Sequence, residues 1–237
     1  MGRKNLMTVV STRSIDVLID SQNGTMRSQD GGPAFFITRA LTAEKVPFTL
    51  ITGSVLHVEI LLTPNGEQGK IPKPIQPPRK LPPISTEAML LSTIVDEWPC
   101  MWPAFKGRQF IDVQGYVRNP ASFGKKKRFA WITAKPYCIK ATAEELRFIP
   151  SGLLAAQKKE RLLVVTRGAQ GASVYHAGKL FSVKPSRIIK RQHMIGAGDT
   201  FFAHFVAHFL RSDDASRSAE HATAQTVIFL EKTKKAP

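Results

Sequence analysis

The sequence predicts an α/β domain with a central, mostly parallel β-sheet and helices on both of its faces. Short apolar runs typical of buried strands alternate with amphipathic segments along the chain, as in parallel sheets with crossover helices. A glycine-rich turn at residues 196–198 opens a helix expected over residues 199–211, where Phe201, Phe205 and Phe209 recur at helical spacing. Because 237 residues are enough to bury a substantial core, we expect one domain that spans residues 1–237.

The first half of the chain contributes strands and one helix. Residues 8–10 and 15–19 are interpreted as one first strand with a turn-like interruption, and the pair Asn23–Gly24 then predicts a hairpin. Pro33 is typical of a first helical turn, so a helix is expected from there to about residue 45. Six prolines within residues 71–83 predict an extended surface loop. Further strands are predicted at residues 48–52, 58–63 and 88–94.

The second half repeats the alternation and ends in two helices. Antiparallel additions to the sheet are expected near residues 175–183, because the connections there are short. Strands are predicted at residues 110–116, 137–140, 162–165, 173–176 and 180–183, and helices at residues 143–147, 152–158, 199–211 and 214–231.

Composition narrows the class of protein. A hydrophobic content of 43% excludes a disordered chain. No signal peptide and no apolar run of about 18 residues is visible, so we expect a cytoplasmic protein without a membrane partner. Cys100 and Cys138 form no disulfide framework and are interpreted as buried apolar residues.

The net charge of +16 is the unusual feature of the composition. Such a charge attracts anions in general, from nucleotide phosphates to nucleic acid. The basic cluster at residues 125–128 lacks interleaved aromatic residues, so we interpret it as a solvated loop and expect no nucleic-acid partner.

The turn at residues 196–199 carries the clearest chemistry. A glycine turn that opens a helix directs several backbone N–H groups at one point, where the positive end of the helix dipole favours an anion. We expect the N–H groups of Gly196, Ala197 and Gly198 to form an anion hole. Asp199 follows at once and is the candidate general base, although an aspartate here also serves as a helix cap.

Three motifs together resemble those of the ribokinase family, also called the PfkB carbohydrate kinases. Besides residues 196–199, residues 166–171 are similar to the family's Thr-x-Gly-x-x-Gly turn, and Gly31 and Gly32 are similar to its substrate-side glycine pair. The resemblance spans nearly the whole chain and implies a ribokinase-like fold. It also implies ATP as phosphoryl donor, bound along Thr166, Gly168 and Gly171, with Mg²⁺ as cofactor and a small polyhydroxylated acceptor held in part by Gly31 and Gly32.

The resemblance implies further site residues, each with an ordinary alternative. Asp16 corresponds to an acid that holds hydroxyl groups of the acceptor, or is an exposed acid of its strand. Arg118 clamps a phosphate or an acceptor hydroxyl, or pairs with a surface acid. Glu144 corresponds to an acid that organises Mg²⁺ through water, or merely favours the helix that it begins.

Local similarity favours the inositol-kinase branch of the family. It rests on residues 112–118 and 140–145, while Phe36 replaces an asparagine of ribose-type pockets. The segment left for a substrate lid, residues 20–30, is short and predicts a reduced lid. The expected reaction is therefore phosphorylation of an inositol-like polyol; a nucleoside or other sugar kinase, and a non-catalytic nucleotide- or nucleic-acid-binding protein, are the alternatives. A homodimer is left open.

His204 and His208 stand four residues apart on one predicted helix, as metal ligands can. With Phe205 where zinc-binding helices carry a glutamate and no third ligand evident, we interpret both as ordinary core or surface histidines.

Overall fold

The computed structural model describes residues 7–73, 81–100, 105–130, 136–189 and 193–234. Within them the strands and helices are, in chain order, β1 (Met7–Ser11), β2 (Ser14–Asp20), β3 (Met26–Gly31), α1 (Gly32–Ala43), β4 (Phe48–Thr52), β5 (Leu56–Thr63), β6 (Gly66–Lys70), β7 (Ala88–Ser92), β8 (Arg108–Asp112), α2 (Gln114–Val117), β9 (Arg118–Asn119), β10 (Ser122–Lys126), β11 (Cys138–Thr142), α3 (Ser151–Glu160), β12 (Leu162–Thr166), β13 (Ala172–His176), β14 (Lys179–Val183), α4 (Ala197–Ser212) and α5 (Ala215–Lys234).

The main sheet has eight strands among the described residues, in the order β14-β13-β12-β11-β8-β7-β1-β4. Six neighbouring strands of this sheet are parallel, namely β12, β11, β8, β7, β1 and β4. The strands β13 and β14 are antiparallel to their neighbours. The predicted mostly parallel sheet with antiparallel additions is thereby confirmed. In such sheets ligands bind at the carboxyl ends of the strands, and the six parallel strands here end at one edge with Ser11, Thr52, Ser92, Asp112, Thr142 and Thr166.

Helices cover both faces of this sheet, as predicted. On one face α1, α4 and α5 bury a cluster that includes Ile37, Phe202 and Ala219. On the other face α2 and α3 contribute Tyr116 and Leu153 to a second cluster. Removal of so much apolar surface from water is the main source of stability for these layers.

A second sheet has four strands among the described residues, in the order β3-β2-β5-β6, and none of them pairs with a strand of the main sheet. Its β2 was expected to continue the first strand, but the chain turns at Thr12 and Arg13 and enters the other sheet. The lid expected at residues 20–30 is likewise only part of this sheet, because the pairing of β2 with β5 brings in residues 56–70. The expectation of a lid confined to residues 20–30 is therefore wrong.

Two other local expectations need comment. The strand predicted over residues 110–116 ends at Asp112, and the helical turn α2 follows, because a short apolar run is equally compatible with either structure. In the proline-rich segment, residues 71–73 and 81–83 form no strand or helix, and residues 74–80 lie outside the described residues. None of the helices described here is long and apolar enough to cross a membrane.

Candidate active site

Gly196 begins α4 in a left-handed conformation, with φ of +78°. A Cβ at this position would lie 2.3 Å from the Phe36 ring, so only glycine fits the turn. The N–H of Ala197 donates to the carbonyl oxygen of Met194 at 3.1 Å. Within the described chain, the N–H groups of Gly198 and Asp199 have no protein acceptor. Of the predicted trio, the Ala197 amide is engaged, whereas the N–H of Gly196, like those of Gly198 and Asp199, has no acceptor among the described residues.

Asp199 lies beside these free amides, at the floor of a cavity. The hydroxyl of Ser92 donates to its Oδ1 at 3.3 Å. Burial raises the pKa of Asp199 to about 6, and the nearby Asp112 carboxylate adds to the rise, while Lys140 and Arg118 oppose it. Such a carboxylate is ionised at neutral pH and is basic enough to accept a proton from a hydroxyl.

A buried ion pair lies behind the turn. The Nζ atom of Lys140 is 2.7 Å from Oδ2 of Asp112, and both side chains are almost wholly shielded from solvent. A Cβ on Gly198 would be 3.2 Å from the same Nζ, so the absence of a side chain allows close approach of the cation. Burial lowers the pKa of Lys140, but Asp112, Glu145 and Asp199 together raise it, so the ammonium remains charged. The sequence analysis did not identify this pair; the feature that could have indicated it is a lysine, Lys140, within the otherwise apolar strand β11.

The cavity in front of Asp199 has a volume of about 360 Å³. Asp16, one of its walls, is buried rather than exposed, and its Oδ1 accepts a hydrogen bond of 2.5 Å from Ser14. A Cβ on Gly31 would come within 2.0 Å of Oδ2 of Asp16, which explains the glycine. Of the other predicted residues, Gly32 and Arg118 also line this cavity, as does Phe36. We call this space the acceptor cavity.

Arg118 places a cation in the acceptor cavity, over the Phe123 ring at 4.7 Å. Its Nη1 donates to the carbonyl oxygen of Ile94 at 3.5 Å, and its Nε has no partner among the described residues. Burial lowers its pKa, whereas Glu145 and Asp199 oppose that shift. The arginine is therefore held in place with a hydrogen-bond donor still available.

Lys126 and Glu67 are cavity residues that sequence reasoning missed. Lys126 was assigned to a solvated basic loop, but its side chain is only 13% exposed and its Nζ lies 3.9 Å from Oε1 of Glu145. Glu67 extends from β6 and accepts a hydrogen bond of 2.9 Å from the N–H of Met194, so it links the second sheet to the loop before Gly196. Neither role has a sequence signal, because both depend on strands outside the main sheet: Lys126 lies in β10, which pairs with β9 in a two-stranded sheet, and Glu67 lies in β6 of the second sheet.

Glu144 borders the acceptor cavity and is exposed, while Glu145 is buried beside it. Oε2 of Glu145 accepts a bond of 2.8 Å from the N–H of Thr142, and the Glu145 N–H donates to Oγ1 of Thr142 at 3.2 Å. This reciprocal pair is a capping box that fixes Glu145. Glu144 is thus the more accessible carboxylate, and Glu145 the better positioned one.

A second cavity, of about 270 Å³, lies on the other side of the turn. We call it the donor cavity, and the predicted residues Thr166, Gly168 and Gly171 line it. Its far wall is apolar and is formed by Ile188, Ile189, Phe201, Val227 and Leu230. Gln114, Met194 and Gly198 line both cavities, so the two spaces meet at the amide turn.

Known proteins similar to this chain identify its family and its fold. The model of the pfkB family of carbohydrate kinases matches residues 106–235. No curated protein sequence is significantly similar to the chain. A ribokinase-family pyrophosphate-dependent kinase, solved with a pyrophosphate analogue and myo-inositol, is 16% identical, with a TM-score of 0.71 and coverage of 95% of both chains.

Two further solved structures share the fold. Arabidopsis thaliana ribokinase, solved with ribose and ATP, is 14% identical, with a TM-score of 0.70 and coverage of 95% of this chain and 92% of that one. Methanocaldococcus jannaschii nucleoside kinase is 16% identical, with a TM-score of 0.64 and coverage of 98% and 93%. These likenesses confirm the ribokinase-like fold, and the family match covers more than half of the chain. The chain belongs to the pfkB family of carbohydrate kinases.

Proposed function

We propose that the protein transfers the γ-phosphoryl group of ATP to a hydroxyl of a small neutral polyol, with an inositol as the preferred acceptor. One observation carries the proposal: two cavities meet at Gly198, with Asp199 on the acceptor side and free amides between them. A phosphoryl group in transfer needs this arrangement, in which donor and acceptor approach in line across an anion site. We also propose that residues 1–237 act as one kinase domain.

In the proposed mechanism the oxygen of the acceptor hydroxyl bonds to the γ-phosphorus while Asp199 accepts the proton of that hydroxyl. The bond to the β,γ-bridging oxygen breaks, and ADP leaves with that oxygen. The N–H groups of Gly198 and Asp199 stabilise the charge on the transferring group, and Lys140 behind Gly198 adds positive potential. Arg118 and Asp16 orient the acceptor from the opposite wall.

We assign the nucleoside of ATP to the donor cavity. In this cavity Ile188, Val227 and Leu230 form an apolar surface that a nucleotide base can pack against. Pyrophosphate has no apolar group to bind there. Thr166, Gly168 and Gly171 lie along the same cavity, and the glycine turns let the backbone approach the phosphates closely. Apolar lining therefore favours ATP over pyrophosphate as the donor.

The carboxylates at the acceptor side fit Mg²⁺. This cation prefers oxygen ligands and keeps several waters, with one or two carboxylates and phosphates around it. Glu144 is exposed at the cavity and suits contact through water, while Glu145 is fixed one residue further. Bound Mg²⁺ neutralises charge on the phosphates.

The charges of the acceptor cavity favour a neutral polyol. Asp16, Glu67 and Asp199 contribute carboxylates that accept hydrogen bonds from hydroxyl groups, whereas Arg118 and Lys126 supply the cations. A sugar phosphate brings a further negative charge into a cavity with more acids than bases, which costs free energy. A nucleoside kinase remains the second candidate, because the cavity is wide enough for more than one ring.

We expect an inositol to be phosphorylated with higher kcat/KM than ribose or fructose 6-phosphate. Phe36 offers no hydrogen bond, so an acceptor hydroxyl placed against it loses about 1–3 kcal/mol, and a compact ring with hydroxyls directed at Asp16 avoids this loss. Asp16→Ala should abolish the preference. A coupled assay of ADP release over a panel of acceptors measures it, with the exposed Asp30→Asn as control. A clear preference for ribose, a nucleoside or a sugar phosphate contradicts the assignment.

We expect kcat/KM to fall with decreasing pH through an apparent pKa of about 6. Asp199 has a pKa raised to about 6, and only its ionised form accepts a proton, so activity is full above this range and lost below it. Ser92→Ala removes a bond to the ionised form and should move the acid limb to higher pH. ATP titrates equally in both proteins, so their difference isolates the protein group. Superimposable profiles for the two proteins count against Asp199 as the titrating base.

A further inference from the structure

Three side chains from three helices converge at a point away from both cavities. Glu44 follows the last residue of α1 directly, His204 lies in α4, and His221 lies in α5. The Nδ1 of His204 and the Nε2 of His221 are 2.7 and 2.5 Å from the same carboxylate oxygen, Oε1 of Glu44. All three atoms lie within 4.8 Å of one another.

From this geometry we infer a site for a transition-metal ion of the Zn²⁺ type, bound by Glu44, His204 and His221. Two imidazole nitrogens and one carboxylate oxygen form a common ligand set for Zn²⁺, which keeps a fourth position for water. Bond lengths near 2.0–2.2 Å place neighbouring ligand atoms about 3.3 Å apart in a tetrahedral site. The observed contacts need to widen by less than about 1 Å, as the ion replaces the protons between these atoms.

The surroundings hold the three ligands in place. Nη2 of Arg211 lies 2.5 Å from Oε2 of Glu44, and Nη1 of Arg211 donates to the backbone carbonyl of Glu44 at 3.0 Å. Because Oε2 is engaged in this way, Oε1 of Glu44 stays directed at the histidines. The His208 ring stacks on His221 with centroids 4.9 Å apart, and its Nδ1 is 3.0 Å from Oγ of Ser218. Supporting contacts of this kind orient ligands in known metal sites.

The site is accessible from solvent on one side. His221 is 29% exposed, which leaves a path from solvent to the site.

The sequence analysis compared His204 only with His208 and interpreted both as ordinary histidines, because four-residue spacing identifies neighbours on one helix and not partners from another helix. In the structure His221 of α5 replaces His208 as the second imidazole at Glu44. A bound ion would connect α1, α4 and α5. Gly32 is the first residue of α1, and Asp199 lies in the first turn of α4. The site is thus placed to stabilise the helical layer behind the acceptor cavity.

Titration calorimetry with Zn²⁺ tests the inference on the full chain after treatment with a chelator. We expect one tight site in the wild type, an affinity at least about tenfold lower in His221→Gln, and no change beyond about twofold in His57→Gln, which alters an exposed histidine of β5. Mg²⁺ should not compete, because it prefers an all-oxygen set. Co²⁺ provides a spectroscopic check, since a four-coordinate protein site absorbs visible light more strongly than hydrated Co²⁺ does, and His221→Gln should lose this stronger absorption.

Equal Zn²⁺ affinity in the wild type and His221→Gln overturns the site, as does an equal loss in His57→Gln. Absence of Zn²⁺ binding by the folded wild type overturns it too, and the cluster is then an ion-pair network only. Thermal unfolding of each variant without metal shows whether it is folded, and the wild-type Co²⁺ spectrum decides the matter if a variant is not.

Discussion

Replacement of Asp199 by Asn is expected to lower kcat at least about a hundredfold, the usual scale for loss of a general base. The amide keeps the size of the side chain and its place in the first turn of α4, but it cannot accept the proton of the acceptor hydroxyl. Affinity for ATP should change little, because the donor cavity lies on the other side of Gly198. Steady-state kinetics and ATP titration of the variant measure both quantities.

Loss of folding does not explain such a result. The pKa of Asp199 is raised in the folded protein, so its ionised form opposes folding above pH 6 or so. A neutral Asn should therefore leave the melting temperature unchanged or raise it. Asp213→Asn is a matched control, since Asp213 is an exposed acid at the other end of α4. Near-normal turnover of Asp199→Asn shows that another group is the base.

Lys140→Met is expected to destabilise the protein by about 3–5 kcal/mol, the range for removing one partner of a buried ion pair. The methionine leaves the Asp112 carboxylate buried at the end of β8 without its ammonium. Urea unfolding measures the change. Turnover should fall as well, because Lys140 opposes the rise in the pKa of Asp199 and lies behind Gly198.

The double variant Asp112→Asn/Lys140→Met separates charge from packing. It removes both charges, so most of the stability lost in Lys140→Met should return while turnover remains low. Lys179→Met is the control for loss of a lysine at an exposed strand position and should stay within about 0.5 kcal/mol of the wild type. A stable Lys140→Met protein with normal turnover shows that the buried pair supports neither the fold nor the site.

Motifs that combine glycine with a following element were predictable from sequence. Gly196 adopts a left-handed conformation before a long apolar helix, and Gly168 and Gly171 also have positive φ next to buried strands. Backbone requirements of this kind restrict the residue type locally, so they can be read without the fold. The order of strands and helices could be predicted from hydrophobic periodicity, because this pattern is also a local property of the sequence.

Residues that are brought to the acceptor cavity by strands outside the main sheet were not predictable. Lys126 was interpreted as part of a solvated run, and its position at the acceptor cavity depends on β10, which pairs with β9. Glu67 lies in the β6 strand, where no local pattern indicates that it meets Met194 across more than a hundred residues. Such contacts are set by long-range pairing, which a single sequence does not reveal.

The acid near the start of the segment after β11 illustrates a finer limit. Glu144 and Glu145 are adjacent, and the sequence alone favoured the first of them. In the structure Thr142 caps the turn with Glu145 and leaves Glu144 exposed at the cavity. A displacement of one residue decides which carboxylate is fixed and which is free, and it depends on where the turn begins.

Phosphoryl transfer followed by ³¹P NMR tests the central claim most directly. Purified protein with MgATP and an inositol is predicted to give an inositol monophosphate and ADP in equal amounts. Asp199→Asn, run in parallel, should give neither above background. Pyrophosphate in place of ATP should support little product, because it leaves the apolar donor cavity empty. Phosphorylation that proceeds equally well in Asp199→Asn, or that requires pyrophosphate and ignores ATP, contradicts the account.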